Sequence, residues 1–369
     1  MNETIPIAVI AGDGIGPDVT NAALAVADEV CVRAGAPKLE RAEIQAGAGY
    51  FRETGQDIVQ GGEVAAGRAA AIFLGAIGLP SVRHIDGTEI SPHLRLREMY
   101  QLYAGVRPVK AYPNAPQRLA DPRAAGLDMV ILRESTEGLF YSAAVHGRSE
   151  IIGDTEVRDT MRITRHTTEK LHHFGFKLAQ RRKERRGTSG LLTCVDKANV
   201  FASMAFFRRI FDEVKRDYAD ADVGYNYVDA MALDLVRQPW AFDVMVMENM
   251  FGDILSDLAG GLVGGMGMAS CAEIGDDVGL FQPAHGSAPD IMGQDKANPL
   301  AAILSAGLML DYLADNTGHP EFATAAEAID SAVEAGFAAN ELRPMEFGGD
   351  MGTIAVTRAV LAHLPKGAT

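Results

Sequence analysis

Cysteine is scarce in this chain: Cys31, Cys194 and Cys271 are its only three, widely spaced and odd in number. That pattern implies neither a disulfide framework nor a zinc motif, and it fits a reduced, cytoplasmic setting. Long apolar runs are missing too. No stretch approaches the roughly 18 residues that a membrane span needs. The opening residues, MNETIPIAVIAGDG, carry no basic leader before they enter an apolar run, so a soluble, unprocessed chain is expected. Positive charge is also short: 34 Lys and Arg stand against 49 Asp and Glu, a formal net charge of −15. Such a balance argues against nucleic acid or an anionic membrane as partner. Cations that meet an anionic substrate must therefore be gathered locally. No internal repeat and no linker-like tract divides the 369 residues, yet that length exceeds what one core usually organises, and two domains are expected.

What the chain does have is a steady alternation of strand and helix. Apolar runs at 5–11, 69–80, 102–113, 127–135, 190–196, 223–229 and 241–247 read as strands, and helical spacing follows most of them. This predicts an α/β fold with a largely parallel sheet. Gly12, Gly14 and Gly16 in GDGIGP follow G-x-G-x-G, a weak match to a dinucleotide fingerprint, and no Rossmann fold is inferred from them. A helix is expected at about 159–180, and the run RRKERR (181–186) then reads as its solvated terminus.

The chemistry gathers around ENMFGDILSD (248–257). The strand 241–247 is expected to end in a tight turn at Gly252, with a helix opening at Asp253 as N-cap. Asp257, four residues on, shares its face. The pair is either a cap with a solvated acid or half of an oxygen-ligand site for Mg²⁺ or Mn²⁺. Lys197 and Asp229 also follow strands, and ligands of open α/β sheets bind beyond strand carboxyl ends, so these groups can converge. Arg97, Arg107 and Arg133 each border an apolar segment. Singly they suit structural ion pairs; together they suit a clamp for a polycarboxylate.

Seven ordered stretches then carry a resemblance: GDGIGP (12–17), LRxxxxLYAGVRPVK (96–110), RESTEG (133–138), DKANV (196–200), YVDAMALDLV (227–236), ENMFGDILSD (248–257) and HGSAPDIMGQDKANPLA (285–301). In them the chain resembles the β-decarboxylating dehydrogenases, the isocitrate/3-isopropylmalate dehydrogenase family, which includes the tartrate, (R)-malate and homoisocitrate enzymes. The resemblance implies a two-domain α/β fold with a central parallel or mixed sheet that is not Rossmann. A large domain would comprise 1–102 and 264–369, and a small domain 103–263, with a dimer arm near 140–160. It implies a homodimer with shared active sites, acting on a small 2-hydroxy di- or tricarboxylate.

Residue by residue, the resemblance assigns Arg97, Arg107 and Arg133 to the substrate carboxylates. It assigns Asp229, Asp253 and Asp257 to Mg²⁺ or Mn²⁺, one of the three from the other subunit. Lys197, with Asp229, would move the C2 hydroxyl proton, and Asn199 would lie beside the nicotinamide. His285, Gly286, Ser287, Ala288, Pro289 and Asp290, with Asn298, would hold the adenosine of NAD. A carboxylate at Asp290 suits the ribose hydroxyls of NAD and would repel a 2′-phosphate.

Three positions depart from the family pattern. Phe140 stands where a tyrosine protonates the carbon after CO₂ leaves. Tyr141, one residue on, would face the opposite way in an extended strand unless a bulge re-aimed it. Gln282 replaces a frequent Glu. Ser91 and His93 occupy the segment that sets the C3 substituent, where a polar His93 is a poor match for an isopropyl group; it either contacts substrate or is structural. The activity expected is NAD- and metal-dependent oxidative decarboxylation of a 3-substituted (R)-malate. The alternative is a weakened or regulatory binding homologue that lacks efficient decarboxylation.

Overall fold

The computed structural model describes residues 3–144 and 149–366. Ten strands form one sheet: β1 (Thr4–Gly12), β2 (Lys38–Glu43), β3 (Ala71–Ala76), β4 (Ala104–Lys110), β5 (Asp128–Glu134), β8 (Leu192–Asp196), β9 (Val223–Tyr227), β10 (Val244–Met247), β11 (Ser270–Ile274) and β12 (Gly279–Pro283). The spatial order is β2-β1-β3-β12-β11-β4-β5-β10-β8-β9, and β6 (Glu150–Ile152) pairs with β7 (Glu156–Arg158) as a separate hairpin. β3, β10 and β12 are buried along their whole length, as continuous apolar runs covered on both faces should be.

The sheet is mixed, with six parallel and three antiparallel pairs. At its centre β4–β5, β4–β11 and β11–β12 are antiparallel, while the flanking pairs are parallel. The short connection 275–278 is the reason for one of these reversals, since a hairpin turn can join only antiparallel neighbours. The five strands on the β2 side come from 1–102 and 264–369, and the five on the β9 side from 103–263.

Helices cover both halves. α1 (Gly16–Ala34), α10 (Leu300–Thr317), α11 (Glu321–Ala338) and α12 (Thr353–His363) pack together beside the β1 half. Pro17 starts α1, and Gly35, in the left-handed region, ends it. On the other half lie α6 (Arg165–Arg186), α7 (Ala202–Val214), α8 (Val228–Arg237) and α9 (Asn249–Leu262). Shorter helices are α2 (Ala48–Thr54), α3 (Gly62–Arg68), α4 (Pro92–Met99) and α5 (Phe140–Ala144).

The run RRKERR forms the last turns of α6, which ends at Arg186, and Lys183, Glu184, Arg185 and Arg186 are exposed there as a solvated terminus should be, whereas Arg182 turns inward. Arg182 is buried there, and its Nε donates to Asp243 Oδ1 at 2.7 Å while Nη2 donates to the Asp128 backbone oxygen at 2.9 Å. Those partners lie at the starts of β10 and β5, so the helix is riveted to the sheet by charge. Of the arm expected near 140–160, residues 145–148 lie outside the described residues. Its remainder includes the β6–β7 hairpin, whose Ile151 and Val157 are exposed. No described helix is long and apolar enough to cross a membrane.

Candidate active site

Three arginines converge from three elements. Arg97 lies in the last turn of α4, Arg107 within β4 and Arg133 near the end of β5, and all three are buried. In the β4–β5 register Gly105 opposes Arg133, two residues from Arg107, which puts both arginines on one face. Arg97 and Arg107 donate to a single oxygen, Glu273 Oε1, at 2.8 and 3.1 Å. Arg133 donates from Nε to Asn249 Oδ1 at 2.9 Å and pairs through Nη1 with Asp253. Burial first, and then Arg107 and Arg97, pull the Arg133 guanidinium down to about 10. Burial works against ionisation of Glu273, yet the three arginines hold its carboxyl at about 2. Nε of Arg97 and Nε of Arg107 are buried with no partner. Buried donors with unused capacity are costly by themselves and suit a site that receives carboxylates.

Asp253 and Asp257 reach this cluster from α9. The helix opens at Asn249, four residues before the N-cap expected at Asp253. Its cap is Glu248, whose buried carboxylate accepts from the Met250 and Phe251 backbone N–H groups at 3.1 and 3.2 Å. Gly252 is accordingly inside the helix and makes no turn. A Cβ there would fall 2.6 Å from Arg133 Cβ and Cγ, so glycine is what lets α9 lie against that arginine. Partial burial, and then the neighbouring Asp253, raise the Asp257 carboxyl above its usual range.

Lys197 and Asp229 form a second cluster. Lys197 follows β8, Asp229 lies in the first turn of α8, and Lys197 Nζ bonds Asp229 Oδ1, which holds that carboxyl below its usual range. Behind them Asp196, fully buried, takes Arg208 at 2.7 and 2.9 Å and the Ala198 N–H at 2.8 Å, fixing the loop that presents Lys197 and the exposed Asn199. Asp229 is not brought to Asp253 and Asp257 within one chain. Among the described residues no group of three or more His, Cys, Asp or Glu side chains is arranged to hold a metal ion.

The loop 285–290 is clamped to the first turn of the chain. Ile15 N–H donates to Ser287 O at 2.8 Å, and Ser287 Oγ bonds Gly78 O. Gly14, at φ +57°, would put a Cβ 1.9 Å from Ser287 O. Asp13 ties this turn inward, its carboxylate accepting from the Ala48, Gly49 and Gly78 N–H groups at 2.7–2.8 Å. The glycines of GDGIGP thus serve loop packing. His285 Nδ1 lies 2.9 Å from Gly286 O, while Nε2 is buried and unpartnered. Ala288 takes φ +36° between Ser287 and Pro289, and Asp290 is exposed. Asn298 is buried and donates to Glu346 Oε2 at 2.9 Å.

With this geometry in view, the model for the isocitrate/isopropylmalate dehydrogenase family matches residues 6–361. The chain belongs to that family. It is 39% identical to the 3-isopropylmalate dehydrogenase of Carboxydothermus hydrogenoformans over 84% of this chain and 82% of that one. It is 38% identical to the 3-isopropylmalate/3-methylmalate dehydrogenase of Methanocaldococcus jannaschii over 96% and 97%. Among solved structures, isocitrate dehydrogenase from Methylococcus capsulatus superposes with a TM-score of 0.81 at 29% identity, covering 98% of this chain and 99% of that one. As a member of the family the protein is a β-decarboxylating dehydrogenase, an oxidoreductase acting on a CH–OH donor.

Of the departures from the family pattern, Phe140 and His93 border the arginine cluster. Phe140 opens α5 and lines a small cavity with Arg97, Arg133 and Asn249, its ring 5.0 Å from the Arg133 guanidinium carbon. Tyr141 is turned onto Arg162, 4.2 Å from its guanidinium carbon. The segment is helical, not extended, so adjacent side chains diverge by about 100° instead of facing opposite ways. Tyr141 does not line that cavity. Ser91 is the N-cap residue of α4 without a side-chain cap bond. His93 keeps a buried, unpartnered Nδ1, and burial, followed by Arg97, pushes its imidazole down to about 3. Gln282 is buried in β12, opposite Cys271.

Sequence reasoning missed Glu273, Asn249, Asp13 and Glu346. Asp13 and Asn249 stand inside the motifs GDGIGP and ENMFGDILSD, and Glu273 is the sole charged residue of the buried run SCAEI.

Proposed function

We propose that this enzyme uses NAD⁺ and Mg²⁺ or Mn²⁺ to oxidise and decarboxylate a 3-substituted (R)-malate-type 2-hydroxy acid. One observation carries the reading: Arg97, Arg107 and Arg133 converge, buried, beside the Asp253–Asp257 face of α9. Hard oxygen donors one turn apart, mutually repelling, fit a divalent cation. They supply only part of a ligand set, and Asp229 of the partner subunit would supply the rest. Bound there, Mg²⁺ or Mn²⁺ supplies the Lewis acidity that eases loss of the hydroxyl proton, and NAD⁺ accepts the hydride.

The chain's own residues do the rest. The arginines orient the substrate carboxylates. Lys197 of the partner subunit, which lies against that Asp229, would take the C2 hydroxyl proton in its neutral form. Loop 285–290 and Asn298 seat the adenosine, and Asn199 borders the nicotinamide. Exposed Asp290 favours NAD⁺ over its 2′-phosphorylated form. The polar pair Ser91 and His93 leaves a tartrate, (R)-malate or isocitrate-like acid as open as an isopropylmalate. The two halves of the sheet support a large domain of 1–102 and 264–369 and a small one of 103–263, with the site between them.

Phe140 favours a second reading, in which hydride transfer proceeds with little decarboxylation, because its ring has no proton to give. The test is NADH formation with Mn²⁺ across (R)-malate, 3-isopropylmalate, tartrate, isocitrate and homoisocitrate, with CO₂ followed in parallel. Equal NADH and CO₂ on one acid is the expected result. NADH without CO₂ selects the second reading, and no NADH on any acid sinks both.

A further inference from the structure

The mechanism above gives Glu273 no part, yet it is the best-held carboxylate in the site. It is fully buried, the one charged residue of β11. Its Oε1 accepts from Arg97 at 2.8 Å and from Arg107 at 3.1 Å. Gly105 opposite it on β4 leaves the room: a Cβ there would lie 3.1 Å from Glu273 Oε2 and 2.5 Å from Ser135 Oγ. Glu273 therefore sits where a carboxylate of a ligand would sit, bonded to two of the three guanidinium groups such a ligand needs.

Charge decides what this does. Three arginines would present three positive charges to the substrate, and the internal carboxylate removes one of them. Asp253 and Asp257 are engaged toward Arg133 and the cation position, so they do not offset Glu273. The buried, unpartnered Nε atoms of Arg97 and Arg107 leave these two groups with capacity for one carboxylate, and the cation side can take the one at C1. A third carboxylate, carried on the C3 substituent beside His93, would come within reach of Glu273, whose charge acts on His93, in a buried setting where like charges are poorly screened.

We propose that Glu273 is a specificity-determining residue: an internal carboxylate that, by occupying Arg97 and Arg107 together, admits 2-hydroxy acids with two carboxylates and turns away those with three. The proposal rests on the reading of these arginines as the substrate clamp. It narrows that reading to the malate-type acids and sets isocitrate-like acids aside.

The experiment compares the wild type with E273Q and E273D on (R)-malate, 3-isopropylmalate and isocitrate, with Mn²⁺ and NAD⁺. Wild type should favour its best dicarboxylate over isocitrate by at least ~10-fold in kcat/KM, and E273Q should shrink that ratio by ~10-fold or more, mainly through the KM for isocitrate. E273D, which keeps the charge, should keep the ratio. A buried glutamate that only props up the arginines would weaken all three acids alike and leave the ratio unchanged, which overturns the proposal. So does a wild type that prefers isocitrate, an arm that needs no variant and stands even if E273Q fails to fold. Calorimetric titration of the same acids onto the Mn²⁺-loaded protein without NAD⁺ reads the same preference without turnover. If that preference appears while no acid is oxidised, the activity reading fails and the role of Glu273 stands.

Discussion

Phe140 turns an aromatic ring, with nothing to donate, toward the same cavity as Arg97 and Arg133. General acid catalysis is typically worth about 10²–10⁴-fold, so its absence should appear in the step that protonates carbon. F140Y is expected to speed the carbon protonation that follows CO₂ loss by ~10-fold or more in a single turnover, and to raise CO₂ released per NADH only under the second reading. Y141F should change neither, since Tyr141 lies over Arg162. Stopped-flow NADH absorbance with parallel CO₂ capture measures both. A wild type whose NADH and CO₂ already keep pace, unaltered by F140Y, would mean that proton comes from elsewhere. At this scale the residue identities were legible in the sequence, but the divergence of neighbouring side chains depended on the short helix Phe140–Ala144.

The packing of α6 on α7 carries a second expectation. His172 on α6 is fully buried against Phe207 and Phe211, with ring centroids 4.5 and 5.2 Å apart, and neither ring nitrogen has a partner. Burial, and then His173, lower its imidazole to about 3. The folded chain thus binds fewer protons than the unfolded one between about pH 3 and the usual histidine value of 6.5. Stability from this group is complete above that window and is lost as pH falls through it, by up to ~1.4 kcal/mol per pH unit. H172F keeps the aromatic volume and removes two unsatisfied polar atoms. It should raise stability at pH 7 by roughly 1–2 kcal/mol and flatten the slope between pH 4.5 and 6.5, as read by urea unfolding. Equal slopes in both proteins would show that His172 does not set the acid limit. The same element shows what composition leaves out: RRKERR is mostly solvated, yet its Arg182 finds Asp243 and Asp128 once α6 is laid across the sheet.

Across the whole molecule, apolar surface surrounds the candidate metal ligands. Leu233 follows Asp229 by four residues on α8, Val236 lies on the same helix, and Ile254 adjoins Asp253 on α9. These three are 54%, 50% and 60% exposed, and Phe201, beyond Lys197, is exposed too. Residues four apart share a helix face, so Asp229 and the exposed Leu233 turn to the same side of α8. Such a patch marks an interaction surface, and a second copy bringing its own acid here would complete the cation's ligands. If the proposed dimer forms through this face, L233D should turn dimer into monomer in analytical ultracentrifugation and abolish turnover, with the circular dichroism spectrum unchanged. A variant that remained dimeric and active would place the subunit contact elsewhere.

The sequence by itself determined the family, the α/β class and the identity of the arginines, aspartates and lysine, because these are carried by residue types at fixed local spacings. Tertiary structure alone decided which of them meet. The antiparallel centre of the sheet brings β11 beside β4 and hence Glu273 onto Arg97 and Arg107, across 166 residues for the second pair. Local pattern holds no record of that pairing. Nor could it show that Gly252 serves helix packing and not a turn, since the decisive contact is with Arg133 on another strand. Periodicity records which face of an element is buried, whereas a site depends on what each face is buried against.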